Sequence, residues 1–544
     1  MTKKVMLYWN TVKHLKPIQI KGQIQRRLKG KRKSYVLSQE PEPVHITVPE
    51  LDEDEEYLNR FDADALMRDE VLLLHEEHKL HSSWNEPAAS HLWNYNLHYL
   101  EFLVPLAVKY KTTGDEKYKS KWLEIIHSWM ENAGAKDAYE PYTISLRIPN
   151  VLIGMELLGI EDKEIYSSLY NQYRHLQRNL EEALLANHYF ENLKTIVISA
   201  VLFNEPDLYH KAFNLFLKQI DEQILPDGIH YERSLMYHKI ILEDILRVYT
   251  VLKSSSHTLD ADKLLETVRI MAVAISSLEQ GFERTPLFND AGNNVSKSTL
   301  SLLKVCERIA GSIDNTKTEF PDSGYYRLDQ GNYTVLFDCG DIGPKYMGGH
   351  AHNDCLGFEM AAGGKVIFSN SGTGQYQGEL RPFFRGTSAH NTLMVDDREQ
   401  SELWGEHRAA RRISKLRLKR TGEALIGQFQ SYQGDRFRRK MKWKQNTLEI
   451  LDEVKSNGSH IARQFFHLAP GYKYKRDAAS VSVAAGNKVV ARIKLPTDSD
   501  FLIHTEGQIT SYAEDFGKYE KKDVLEVRTP FVDSAWLKIE IEMQ

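Results

Sequence analysis

The 544-residue chain has only three cysteines, Cys306, Cys339 and Cys355. An odd, sparse set without CxxC spacing cannot build a disulfide framework, and it fits a reducing compartment best. Apolar runs long enough to cross a membrane, about 18 residues, are missing, as is a leader-like apolar stretch within "MTKKVMLYWNTVKHLKPIQIKGQ". No transmembrane segment is expected, and a cytoplasmic protein is predicted unless a leader has been removed. There is little excess charge of either sign: 70 Lys and Arg against 75 Asp and Glu give −5. That balance offers no overall electrostatic case for nucleic acid, so an anionic ligand needs a local basic cleft. No repeat of fixed length occurs.

The hydrophobic content, 42%, is ample for globular cores, and the length predicts two large domains or a domain pair with an appendage. Residues 1–56 form an arm, basic over 13–33 ("KHLKPIQIKGQIQRRLKGKRK") and acidic over 50–56 ("ELDEDEE"). It reads as a solvated arm or a helix packed across the body, with a membrane-surface or polyanion contact as the alternative. From about residue 57 to 318, segments such as "SKWLEIIHSWMENA" and "LYHKAFNLFLKQIDEQIL" carry helical spacing, and no strand-like alternation interrupts them. Paired antiparallel helices in a solenoid, toroid or bundle are expected. From 319 to 544 the period becomes two, as in "RISKLRLKR" and "WLKIEIEM", which predicts an antiparallel β-sandwich. Ligand sites prefer the junction of such unlike domains.

Three stretches supply candidates for that junction. In "LLANHYFENLKT", Asn187, His188 and Asn192 interrupt a helical pattern, since asparagine competes for backbone hydrogen bonds; cap or loop polarity explains them equally well. In "LPDGIHYERSLMYHKIILEDILRVY", Ser234 is an expected N-cap and Tyr237 falls in the first turn, though the stripe Tyr237, Ile241, Ile245 also suits core packing. "GGHAHNDCLGFEM" places His350 and His352 two residues apart, roughly 7 Å on one side of a strand. His-x-His permits a metal site, with His390, Asp354 and Asn370 as further donors, or a satisfied polar network.

Together with "WNYNLHYLEFL", "SLRIPN" and "SAHNTLMVDD", these stretches resemble the heparinase II/III-like superfamily of polysaccharide lyases, whose members include alginate lyases. The resemblance runs from residue 93 to residue 397. It implies an α+β multidomain fold, an incomplete (α/α) toroid followed by an antiparallel β-sandwich. It also implies β-elimination on an anionic, uronic-acid-containing polysaccharide such as a glycosaminoglycan or alginate, leaving a 4,5-unsaturated uronate. Asn187 then neutralises the carboxylate with His188 beside it, and Tyr237 and His350 serve as base and acid. The resemblance places a zinc or calcium ion on His352, His390 and the position of Asn370, where relatives carry aspartate. A neutral amide is the weaker ligand there. Around the groove, Trp93 and Asn96 are expected to meet sugar, and Arg147 and Arg385 to hold carboxylate or sulfate through their planar donor forks. The competing readings are a glycoside hydrolase using Glu232 and Asp354, and a non-catalytic glycan-binding or surface-polysaccharide assembly factor.

Overall fold

A computed structural model describes residues 3–28, 42–47, 54–133, 135–477 and 480–544. The parts of the basic and acidic runs at 29–33 and 50–53 lie outside the described residues. Two helices, Lys3–Val12 and Pro17–Leu28, open the chain.

The region up to residue 310 is mostly helical. Its helices start where the sequence supplies oxygen caps: Asp115, Asp162, Ser234 and Ser298 each accept backbone N–H bonds from the first turn. Gly114 and Gly159, with φ of 68° and 59°, end two of them in the left-handed conformation that spares glycine a side-chain clash. Three helices, Pro141–Leu158, Ala186–Leu202 and Leu235–Lys253, are buried almost all round and form the inner layer. Amphipathic helices such as Lys163–Gln177 and Pro206–Gln223 cover them. One feature departs from the sequence expectation of uninterrupted helices: a hairpin of four-residue strands, Glu70–Leu73 and Glu76–Lys79, too short to register as alternation.

After Ala310 two antiparallel sheets face each other across a second core. The five-stranded sheet runs in chain order from Glu319–Phe320 to Lys365–Phe368. The ten-stranded sheet is built on two long strands, Thr447–His467 and Val524–Met543, paired in antiparallel register with a bulge between Lys455 and Ser459. Alternating burial along Arg436–Lys444 shows the period-two pattern at work, one face in the core and one in water. Between Glu279 and Thr299 the chain leaves the helices and reaches onto the sandwich, where Asp290 N–H donates to the His350 carbonyl at 3.0 Å and Glu283 N–H to that of Gly364 at 2.8 Å. This crossing loop joins the two halves of the polar site.

Candidate active site

Asn187 stands in the first turn of the Ala186–Leu202 helix, behind two residues forced into positive φ, Leu185 at 62° and Ala186 at 53°. The same device recurs beside two other polar residues: Arg233 (φ 57°) follows Glu232, and Asn289 (φ 56°) precedes Asp290. Non-glycine residues held there cost of order 1–3 kcal/mol each, and such strain concentrates where side chains must be aimed. Here it directs Asn187, Glu232 and Asp290 to one place. Ser234 completes the arrangement, accepting Tyr237 N–H at 3.3 Å and donating its hydroxyl to the Asp290 carbonyl at 2.6 Å.

The buried Asn187 amide donates to both Glu232 carboxylate oxygens at 3.1 Å and lies 3.4 Å from His350 Nε2. His350 Nδ1 meets Asp290 Oδ2 at 2.9 Å. Burial alone would raise the Asp290 carboxyl; the Arg381 guanidinium, bonded to both its oxygens, and the hydrogen bonds from His350 and His352 outweigh it and hold the group well below the usual carboxylate range. An ionised carboxylate only accepts, so His350 carries its proton on Nδ1 and presents the Nε2 lone pair to the pocket. The Tyr237 ring lies 4.2 Å from the His350 ring, and its hydroxyl is 2.6 Å from that of Tyr376. Burial first, then Tyr376, Tyr142 and Asp290, push the Tyr237 phenol well above its ordinary value. Burial also raises the Glu232 carboxyl, against the opposing pull of His350 and of the Asn187 bonds. His188 is at the rim, about one third exposed, 3.1 Å from Glu181 Oε1 and 4.4 Å from the Tyr142 ring.

His350 and His352 are not on a strand. They occupy an extended loop between the strands Tyr333–Asp338 and Phe358–Ala362, pinned to the crossing loop where the His350 carbonyl accepts Asp290 N–H and His352 N–H donates to Asn289 Oδ1. Both nevertheless reach the same carboxylate, since His352 Nε2 meets Asp290 Oδ1 at 2.8 Å. His352 is wholly buried, with its ring 5.2 Å from that of His390. His390 Nε2 reaches the Phe384 carbonyl at 3.1 Å. The Nδ1 atoms of both histidines and Asn370 Nδ2 are buried without a hydrogen-bond partner, and ligand atoms of His352, Asp354 and His390 lie within 4.8 Å of one another. Imidazoles whose outer nitrogens are tied to a carboxylate and a carbonyl while the inner ones face each other unpaired suit a divalent cation. The His352, Asp354 and His390 set therefore fits a metal, with Asp354 as its anionic member, while Asn370 Oδ1 accepts Asn391 N–H at 3.4 Å.

The expectations at Trp93, Arg147 and Arg385 need correction. Trp93 offers no ring to sugar: it is buried, donating to the Glu76 carbonyl at 3.2 Å, and packs edge-on against His78. Its neighbour Asn96 spends its amide on the Leu92 carbonyl one turn back, at 2.9 Å. Arg147 is buried beneath Trp129 and donates to the His98 and Ala138 carbonyls and to Gln172. Arg385 likewise serves the backbone of Gly348, Ala351, Gly405 and Glu406. Burial brings both guanidinium groups down to about 9. They brace loops and do not face a ligand. The arginine at the site is Arg381, one turn before Arg385 on the short Arg381–Arg385 helix. With Asp290 and Tyr376 it was missed, because its partners come from segments about 90 residues away, and no local pattern announces such a meeting. Glu232 and Asp354 form no pair across the groove; Asp354 accepts Asn289 N–H at 3.1 Å inside the sandwich.

A helical half, a two-sheet half and a cluster of polar side chains where they meet define a two-domain scaffold shared with known proteins. Family models described as "Heparinase II/III N-terminus" and "Heparinase II/III-like, C-terminal" match residues 72–310 and 313–529. The chain belongs to the heparinase II/III-like superfamily. A heparin-sulfate lyase of Bacteroides thetaiotaomicron is 24% identical over 446 residues, 70% of this chain and 62% of the relative. One from Pedobacter heparinus is 21% identical over 56% of this chain and 52% of the relative, so the chain spans between half and two thirds of the length of these curated relatives. The crystal structure of heparinase III superposes with a TM-score of 0.71 at 18% identity, over 97% of this chain and 92% of that one, which establishes a common fold.

Proposed function

We propose that the protein is a polysaccharide lyase that cleaves a uronic-acid-containing glycan by β-elimination. The observation that carries this reading is the Asp290–His350 pair facing Tyr237 across 4.2 Å, with Asn187 and Glu232 closing the pocket. A carboxylate makes its neighbouring C5 proton a poor acid, so the charge growing on it must be met by aimed donors, each typically worth ~10²- to 10³-fold. The Asn187 amide is one such donor. The Glu232 carboxyl, raised by burial against the pull of His350 and the Asn187 bonds, lies beside it and holds the Asn187 amide in place. His350 Nε2 removes the C5 proton, its tautomer set by Asp290 as in other carboxylate-oriented histidines. Tyr237, kept neutral by its raised pKa, protonates the departing C4 oxygen; this setting opposes a resting phenolate acting as base. A divalent metal on His352, His390 and Asp354 would brace the sandwich side, and this chain's own contribution there is to hold the loop that carries His350.

The test is the ultraviolet absorbance of the unsaturated uronate across heparan, chondroitin, hyaluronan, alginate and capsular polysaccharides. Tyr237→Phe and His350→Ala each abolish the signal and leave the melting temperature nearly unchanged. Full activity in both variants refutes the assignment, and reducing ends released without absorbance mean hydrolysis.

A further inference from the structure

The basic arm is unused by this chemistry. Its first 39 residues hold eleven lysines and arginines and no aspartate or glutamate, while the whole chain is net negative. Among the described residues, eight of the seventeen exposed large hydrophobic side chains fall within residues 5–24. On the Lys3–Val12 helix, Val5, Trp9 and Val12 share one exposed face, Trp9 at 61%, while Tyr8 at its edge packs edge-on against Trp404 at 5.2 Å. The opposite, more polar face holds the body: Asn10 is buried, and Thr11 Oγ1 accepts from Trp404 Nε1 of the sandwich at 2.9 Å. The Pro17–Leu28 helix repeats this arrangement. Ile20 and Ile24, the latter 53% exposed, border a shallow depression with Pro17 and Lys21. On its other side Gln19 is buried near the Leu184 and Tyr346 carbonyls, and Gly22 permits a close approach, since a Cβ there would lie 2.8 Å from Ala183 N. Lys16 pairs with Glu222 of the helical region and sits 4.2 Å over the Tyr346 ring. The arm is thus clamped to both halves of the molecule with its amphipathicity reversed, polar side inward and apolar side outward.

We propose that these two helices dock the protein on an anionic phospholipid bilayer surface. A basic amphipathic helix with Trp and aliphatic side chains on its outer face buries that face at the headgroup boundary, while lysines and arginines reach the anionic headgroups. Tryptophan and tyrosine favour that depth. A second copy of this chain is the poorer partner. Its other exposed hydrophobics are spread over residues 44–536, and pairing arm with arm sets cation against cation. This inference is independent of the proposed lyase reaction.

The full chain is sedimented with phosphatidylcholine vesicles and with vesicles containing one-third phosphatidylglycerol. It co-sediments with the anionic vesicles only, is released by high salt, and loses about tenfold or more in affinity when Trp9→Glu is combined with Ile24→Glu. Both positions are more than half exposed, so thermal melting of the variant matches that of the parent, which separates lost docking from misfolding. Absence of binding to anionic vesicles, or equal binding by the variant, overturns the proposal. So does a solution dimer that the same substitutions dissociate, which assigns the face to a second copy, or capture of a sulfated oligosaccharide by the arm without vesicle binding.

Discussion

Two histidines one residue apart, His350 and His352, share the carboxylate of Asp290 and live in different worlds. His350 borders the groove with both ring nitrogens engaged, Nδ1 by Asp290 and Nε2 within reach of Asn187. His352 is sealed in the sandwich, where Nε2 is satisfied by Asp290 and Nδ1 has no partner. The difference separates the proposed base from its support. A lone pair at the edge of solvent can act as a base, whereas a lone pair buried among other unpaired donors is a ligand or a cost. One buried anion, paired with Arg381, fixes the tautomer of the first and the orientation of the second.

The most damaging change is therefore Asp290→Asn. It puts an NH2 donor in place of one of the two oxygens that the histidines share and leaves the Arg381 guanidinium buried without its counter-charge, a loss of about 3–5 kcal/mol. Turnover falls about 10³- to 10⁴-fold with the wrong His350 tautomer. Calorimetric melting and the uronate assay read the two losses separately; a normal turnover would dissolve the proposed unity of the two sides. Asn370→Asp sharpens the comparison by acting on the sandwich side alone. Supplying the anionic oxygen raises zinc affinity by at least about tenfold, measured by metal content after dialysis. An unchanged metal content would show that Asp354 already provides the anionic ligand and that residue 370 plays no part.

The legible and illegible parts of this site follow the same division. Periodicity of 3.6 and 2 exposed the helical and sheet halves, because each buries a face across many residues. Ser234 as a cap and Tyr237 in the first turn were readable because capping is local. The hairpin at 70–79, the loop conformation at His350 and the shared use of Asp290 were not readable. They depend on four-residue strands, on strained backbone at Ala186, Arg233 and Asn289, and on contacts across 60 and 62 residues. Arginine illustrates the limit well. Its type suggested ligand binding at positions 147 and 385, yet a buried guanidinium can serve backbone carbonyls equally, and only Arg381 found a carboxylate at the pocket.

A smaller effect is expected at the rim, where His188 contrasts with both buried histidines. Burial lowers its pKa, but the charge and hydrogen bond of Glu181 more than compensate, and the net shift is upward from 6.5. A histidine whose folded pKa is raised contributes stability that is fully present below its unfolded pKa and fades as pH rises through the folded value. The side chain is 34% exposed, so solvent screening holds the pair below about 1 kcal/mol. Glu181→Gln removes the stabilising charge and keeps an amide able to bond Asn192, which Glu181 Oε2 contacts at 3.0 Å. The stability gap between parent and variant is then widest below pH 6.5 and closes above the folded pKa of His188, read from denaturant titrations over a pH series. A gap independent of pH would assign the loss to the Asn192 bond and leave His188 a neutral spectator at the rim.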